Sequence, residues 1–127
     1  QGLTVGVHGT TFGGNPVACA AGAAVLQEIE EKNLTARAAS TGEKLKNSLE
    51  MLAREFPSLI REVRACGLMA GLELKGPGEE FVVSMREKGI LINCTDTTVL
   101  RFLPPLIIDD SHVAEAASAL REVFKAA

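Results

Sequence analysis

Three observations on the sequence predict an α+β fold, a two-layer sandwich in which a small, mostly antiparallel sheet is covered by helices. Two long stretches of helical periodicity come first, over residues 16–32 and 34–56. Apolar residues then alternate in period two from Ile60 to Leu74. A short helical segment, two more strand-like runs and a last helical segment complete the order α-α-β-β-α-β-β-α. At 127 residues the chain has the length of one domain, enough to bury roughly two-thirds of its unfolded surface.

Each element has a local reason. Asn15 is a favoured N-cap and Pro16 suits the first helical position, so the alanine-rich run that follows starts there. Val17, Ala18, Cys19, Ala20, Ala21, Ala23 and Ala24 make its first turns apolar, and Gln27, Glu28, Glu30, Glu31 and Lys32 make its end polar. This helix is therefore expected to be buried early and wetted late. After Asn33 the second helix carries an apolar stripe of Ala38, Leu45, Leu49 and Leu52, and Pro57 ends it. Ile60 and Val63, then Leu68, Ala70, Leu72 and Leu74, read as a hairpin or two bent strands around Ala65-Cys66-Gly67. Gly76-Pro77-Gly78 is a turn; Glu79 to Lys88 is a short helix with Phe81, Val82 and Met85, closed by Gly89. Ile90-Leu91-Ile92 and Val99 to Leu103 read as two strands joined by the polar stretch Asn93 to Thr98, and Pro104-Pro105 stops the second. Asp109 or Asp110 caps a final helix bearing Val113, Ala116, Ala117, Leu120, Val123 and Phe124.

Composition narrows the function classes. Apolar residues make up 46% and charged residues 23%, ordinary for a soluble domain, while aromatics at 4% leave the core to aliphatic packing. The net charge of −3, with both signs interspersed, points to neither nucleic acid nor a polybasic membrane anchor. Cys19, Cys66 and Cys94 are odd in number and widely spaced, which fits reduced cytosolic usage. His8 and His112 are far apart and outside any Cys/His cluster, so no metal site is expected. With no secretory leader and no apolar run of membrane-spanning length, the chain reads as cytoplasmic. Its opening, Gly2 to Val7, resembles neither a leader nor a bounded strand, and suggests a piece of something larger.

Two places could carry chemistry. His8-Gly9-Thr10-Thr11-Phe12-Gly13-Gly14-Asn15-Pro16 packs hydroxyls and glycines in front of a helix N-terminus. Glycines admit close backbone approach, Thr10 and Thr11 offer hydroxyl donors, and the helix amides favour an anion, phosphate above all. The same string also serves as a plain connection. Arg101 stands between Leu100 and Phe102 just before Pro104-Pro105. Its planar fork suits a carboxylate, as an amino-acid or 2-oxo-acid site requires. Strict alternation instead puts it on the wet face of a half-buried strand.

The first segment is similar to the H-G-[ST]-T-[FY]-G-G-N-P string of class III pyridoxal-phosphate aminotransferases. Leu100-Arg101-Phe102-Leu103-Pro104-Pro105-Leu106 resembles that family's [LI]-R-F-x-P-P-L segment. Val63-Arg64-Ala65-Cys66-Gly67-Leu68-Met69 is similar to its V-R-G-x-G-L-M turn, with Ala65 in place of the first glycine, so the backbone there must avoid positive φ or the turn differs. The resemblance, nearest to the acetylornithine aminotransferases and next to the ornithine aminotransferases, runs in order from residue 8 to 106. It implies the C-terminal small domain of a fold-type I aminotransferase, 16–127 with a connecting helix 16–32, preceded by a phosphate-binding segment and linker at 1–15. It further implies Thr11, with Thr10 beside it, as a contact to the phosphate of pyridoxal 5'-phosphate across a homodimer. Arg101 becomes the anchor of the substrate α-carboxylate, for amino-acid and 2-oxo-acid substrates.

No catalytic residue is expected in these 127 residues. A cofactor-bearing lysine needs desolvation to lower its pKa, and Lys32, Lys44, Lys46, Lys75, Lys88 and Lys125 all lie in charged helices or turns. The resemblance implies an enzyme that exchanges an amino group between N-acetylornithine and 2-oxoglutarate, inactive as this chain alone. The rivals are an ornithine, succinylornithine or 4-aminobutyrate aminotransferase, an aminomutase, and a non-catalytic α+β module that binds an amino acid or a phosphorylated metabolite. An apolar surface left around the first helix is expected to drive self-association into a homodimer or larger oligomer.

Overall fold

The computed structural model describes residues 5, 6 and 8–127, so most of the stretch from Gly2 to Val7 lies outside the described residues. The chain divides into two compact units, one ending at Leu34 and the other covering Thr35–Ala127.

The first unit holds the glycine-rich turn and helix α1 (Pro16–Glu31). Asn15 caps it, its side-chain oxygen accepting from the amides of Val17 at 3.0 Å and Ala18 at 3.2 Å. Asn33, at φ 46°, breaks the path before helix α2 (Leu34–Glu55). The expected early burial of α1 is not met. None of its residues is buried, and Val17 and Leu26 keep 78% and 64% of their surface exposed. Apolar periodicity shows what a helix face prefers, but burial also needs a second surface against it.

The second unit is the α+β sandwich. Strands β1 (Ile60–Cys66), β2 (Met69–Leu74), β3 (Asn93–Thr95) and β4 (Val99–Phe102) form one antiparallel sheet in the order β1-β2-β4-β3. Helix α3 (Glu79–Glu87) follows the first hairpin and helix α4 (Asp110–Lys125) ends the chain. Alternate strand residues enter a single core: Ala70, Leu72, Leu74, Leu100 and Phe102 meet Leu45, Leu49 and Leu52 of α2, Met85 of α3, and Leu120 and Phe124 of α4. The few aromatics cluster, with the Phe124 ring edge-on to Phe56 at 5.6 Å and to Phe81 at 5.2 Å. The helices thus cover one sheet face, and the residues between the buried ones lie on the other.

Two details of the sheet set up that open face. Gly67, at φ +55°, makes the β1–β2 turn in a backbone conformation that side chains disfavour. Ala65, where the resembling family has a glycine, sits inside β1 paired with Ala70, so the sequence tolerates the substitution. Helix α2 crosses this turn at Gly42, where an added Cβ would lie 2.2 Å from the Gly67 carbonyl oxygen.

The strand expected at Ile90-Leu91-Ile92 forms instead at Asn93–Thr95. Pairing explains the shift: Asn93 opposes Arg101 and Thr95 opposes Val99, across a loop with Asp96 and Thr97 at positive φ. Continued at that register, Ile90 would face Pro104, which has no N–H to give a ladder. At the last helix Asp109, not Asp110, is the cap. Its carboxylate accepts from the Ser111 amide at 3.0 Å and the His112 amide at 3.3 Å, and His112 Nδ1 accepts from the Asp109 amide at 3.3 Å.

Candidate functional site

The open sheet face carries a transverse row set by strand register: Arg64 on β1 opposes Gly71 on β2, Gly71 opposes Arg101 on β4, and Arg101 opposes Asn93 on β3. Leu100 and Phe102 point into the core, so Arg101 takes the exposed alternative. Its guanidinium is therefore not a buried charge in need of an internal partner. Its Nε donates to Asn93 Oδ1 at 3.2 Å, which holds the side chain while leaving the terminal nitrogens free of any carboxylate among the described residues. A planar fork held in this way can take a carboxylate through two parallel hydrogen bonds.

The other cations of this face are neutralised. Arg64 donates to Glu73 at 2.5 Å and to Glu62 at 2.9 Å, and Arg61 donates to Glu73 at 2.8 Å. The hydrogen bond from Arg64, and after it that from Arg61, holds the Glu73 carboxyl below its ordinary pKa, while Glu73 and then Glu62 raise that of Arg64. Two carboxylates and two guanidiniums cancel, so Arg101 is the cation in excess on this face. A hollow of about 330 Å³ lies between them, lined among others by Arg64, Cys66, Met69, Gly71, Val99 and Arg101.

Thr10 and Thr11 are exposed in the turn of the first unit. Gly13 lets the Thr10 side chain lie against the turn, since a Cβ there would meet Thr10 Cγ2 at 2.2 Å. The α1 amides expected to face an anion are occupied. Pro16 has none, Val17 and Ala18 donate to the Asn15 side chain, and Cys19 donates to the Asn15 carbonyl at 2.9 Å. A phosphate at this turn would thus be held by the threonine hydroxyls and by amides ahead of the helix. Thr10 and Thr11 belong to one unit and Arg101 to the other.

Each lysine has a polar partner. Lys44 pairs with Asp110 at 2.5 Å and Lys88 with Glu122 at 2.7 Å, while Lys32 pairs with Glu28. Lys46 is 3.9 Å from Glu50 and Lys125 is 3.8 Å from Glu55, and Lys75 donates to the Pro57 carbonyl at 2.8 Å. Among the described residues there is no cluster of His, Cys, Asp and Glu able to hold a metal ion, and no helix is long and apolar enough to cross a membrane.

Sequence reasoning missed Asn93, which it placed in a connection, and Gly71, which it did not single out. The signal was present in the Asn-Cys-Thr run with its β-branched end, but only the register to β4 shows that Asn93 faces Arg101.

Known proteins resemble this chain along nearly its whole length. The profile of the family "aminotransferase class-III" matches residues 1–124. The acetylornithine aminotransferase of Methanocaldococcus jannaschii is 48% identical over 124 residues, which cover 98% of this chain and 31% of that protein. The crystal structure of acetylornithine aminotransferase from Elizabethkingia anophelis superposes with a TM-score of 0.87 at 27% identity, over 98% of this chain and 34% of the other. An ornithine aminotransferase structure from Toxoplasma gondii, described as having partial occupancy of PLP at its active site, superposes with a TM-score of 0.80 at 34% identity, over 98% and 30%. The chain thus spans about a third of the length of the relatives it matches.

Proposed function

This chain belongs to the class III aminotransferases, and we propose that it is the C-terminal part of a cytoplasmic enzyme that moves an amino group between N-acetylornithine and 2-oxoglutarate. The observation that carries the reading is Arg101: an exposed guanidinium, braced at Nε by Asn93, with its fork free on a face where every other cation is paired. Both substrates present a carboxylate that a bidentate anchor can take: in 2-oxoglutarate it adjoins the reacting carbon, and in N-acetylornithine it lies at the opposite end of the chain from the free amine. The names of the relatives support acetylornithine as the donor.

The residues present fit a cofactor with a phosphate tail. Thr11, assisted by Thr10, donates hydroxyl hydrogen bonds to that phosphate, and in a homodimer it does so for the neighbouring subunit. When bound, pyridoxal phosphate would supply an electron sink to the amino-bearing carbon of the substrate. Arg101 fixes the substrate carboxylate and so orients the bond to be broken. The reactive lysine is contributed by polypeptide outside these 127 residues, since each lysine here already has a carboxylate or carbonyl partner.

The test is Arg101→Leu in the full-length enzyme that carries this chain. A charge-assisted hydrogen bond contributes about 1.5–3 kcal/mol, so KM should rise roughly 10- to 150-fold for donor and acceptor alike. An unchanged KM for both would remove Arg101 from the site. Thr11→Val should weaken binding of pyridoxal phosphate, and unchanged affinity would remove Thr11.

A further inference from the structure

We infer that Asn93 is a positioning residue: its uncharged amide oxygen takes the Nε edge of the Arg101 guanidinium and directs an incoming carboxylate onto the Nη1–Nη2 edge, with the charge of the arginine undiminished. The inference rests on the carboxylate role proposed for Arg101 and adds what decides the geometry and strength of that contact.

A guanidinium offers a carboxylate two edges with parallel N–H groups, one made by Nε with a terminal nitrogen and one by the two terminal nitrogens. Asn93 Oδ1 accepts from Nε at 3.2 Å, which closes the first edge and leaves the second open. The backbone fixes this partner. Asn93 faces Arg101 directly across β3 and β4, where opposed side chains begin about 5 Å apart. Strand β3 is pinned from behind: Cys94 packs on the core, and its thiol donates to the Thr97 carbonyl at 3.1 Å. That carbonyl also accepts from the Gly78 amide at 2.9 Å, and the Thr98 carbonyl accepts from the Leu74 amide at 2.8 Å. The loop that turns β3 into β4 is thereby tied to β2 and to the residue that precedes α3.

The choice of an amide has its control on the same face. Arg61 and Arg64 are held by carboxylates, Glu73 for both and Glu62 for Arg64 as well. Arg101 is held by an amide, and its fork meets no carboxylate among the described residues. Aspartate has nearly the shape of asparagine and would accept the same hydrogen bond. It would also set a full negative charge against the guanidinium and repel a second carboxylate. The strand would accept either residue at 93; recognition of an anion requires the neutral one.

The test measures kcat and KM for 2-oxoglutarate in the full-length enzyme that carries this chain, with Asn93→Asp, Asn93→Ala, Arg101→Leu and each Asn93 change combined with Arg101→Leu. Asn93→Asp should raise KM about ten-fold or more, the size of one charge-assisted contact, and Asn93→Ala only about three-fold, since it loosens the fork but keeps the charge. A purely structural role would give the opposite order, because aspartate keeps the shape and hydrogen bond of asparagine and alanine loses both. Both effects should vanish in Arg101→Leu, as expected of residues that act through one another. In a crystal of the full-length enzyme with 2-oxoglutarate, the carboxylate oxygens should contact Nη1 and Nη2 while Asn93 stays on Nε. No rise in KM in either Asn93 variant, alanine as harmful as aspartate, an effect that persists in Arg101→Leu, or a carboxylate seated on Nε would overturn the role of Asn93 while leaving the anchor intact. If the aspartate variant does not fold, the alanine variant decides by the same coupling to Arg101. Unchanged KM in Arg101→Leu would overturn the anchor, and this inference with it.

Discussion

The crossing of α2 over the β1–β2 turn makes Gly42→Ala a prediction whose sign is informative. Gly42 lies inside a 22-residue helix, where alanine is favoured over glycine by about 1 kcal/mol. On propensity alone the substitution stabilises the protein. The structure says otherwise: the new Cβ would lie 2.2 Å from the Gly67 carbonyl oxygen, 2.3 Å from its carbon and 2.8 Å from its Cα. These are backbone atoms of a tight turn, and relief requires helix and turn to separate by about an ångström. Overpacking costs about 1–3 kcal/mol, and a backbone obstacle belongs at the upper end. Subtracting the propensity gain leaves a net loss of about 2 kcal/mol, or roughly 8 °C in Tm for a domain of this size. Thermal and urea unfolding followed by circular dichroism would measure it. Gly22→Ala in α1 is the control, since nothing lies within 4 Å of its added Cβ; it should gain helix stability with no clash. A Gly42→Ala variant more stable than the parent would refute the crossing.

Other consequences are equally direct. Leu72→Ala, at a fully buried position of the inner strand β2, should cost about 2–5 kcal/mol of stability, read from denaturant midpoints. Asp109 has its pKa lowered to about 2 by the Ser111 side chain first and by the His112 amide after it. A depressed pKa contributes stability that is present above the ordinary value near 3.8 and is lost as pH falls through about 2. Asp109→Ala should therefore lower Tm at neutral pH, with the gap to the parent closing across that acid window; a gap that persists below it would contradict the cap. Exposed Val25 and Leu26 on α1 should drive self-association, so sedimentation should show concentration-dependent oligomers that Leu26→Glu weakens. Compact monomer at high concentration would count against this. Adding pyridoxal phosphate to the isolated chain should give no lysine-dependent visible absorption band.

The sheet and its covering helices were legible because their signals are local. Alternation in Met69–Leu74, Pro57 after α2 and Gly89 after α3 each act on their own neighbourhood. Register was not local. The sequence could not tell Ile90-Leu91-Ile92 from Asn93-Cys94-Thr95 as the edge strand, because the choice depends on which residues face Pro104 across the ladder. Arg101 shows the same division. Alternation alone placed it opposite Leu100 and Phe102, whereas its freedom from carboxylates depends on Glu62 and Glu73 being taken by Arg61 and Arg64. The α1 face misled because its alanines and valines describe a preference for burial and not the surface that meets it. The threonine turn was legible as a motif, but the claim of the Asn15 side chain on the first α1 amides was not.

The central claim is that the one unpaired guanidinium of the open sheet face recognises a carboxylate. It is tested most directly in the full-length enzyme by comparing turnover of the amino acid with that of the matching amine lacking its α-carboxylate, before and after Arg101→Leu. The parent should prefer the amino acid by a large factor, and the variant should lose that preference through the amino acid alone. A variant that slows both compounds equally, or keeps the preference, would contradict the account.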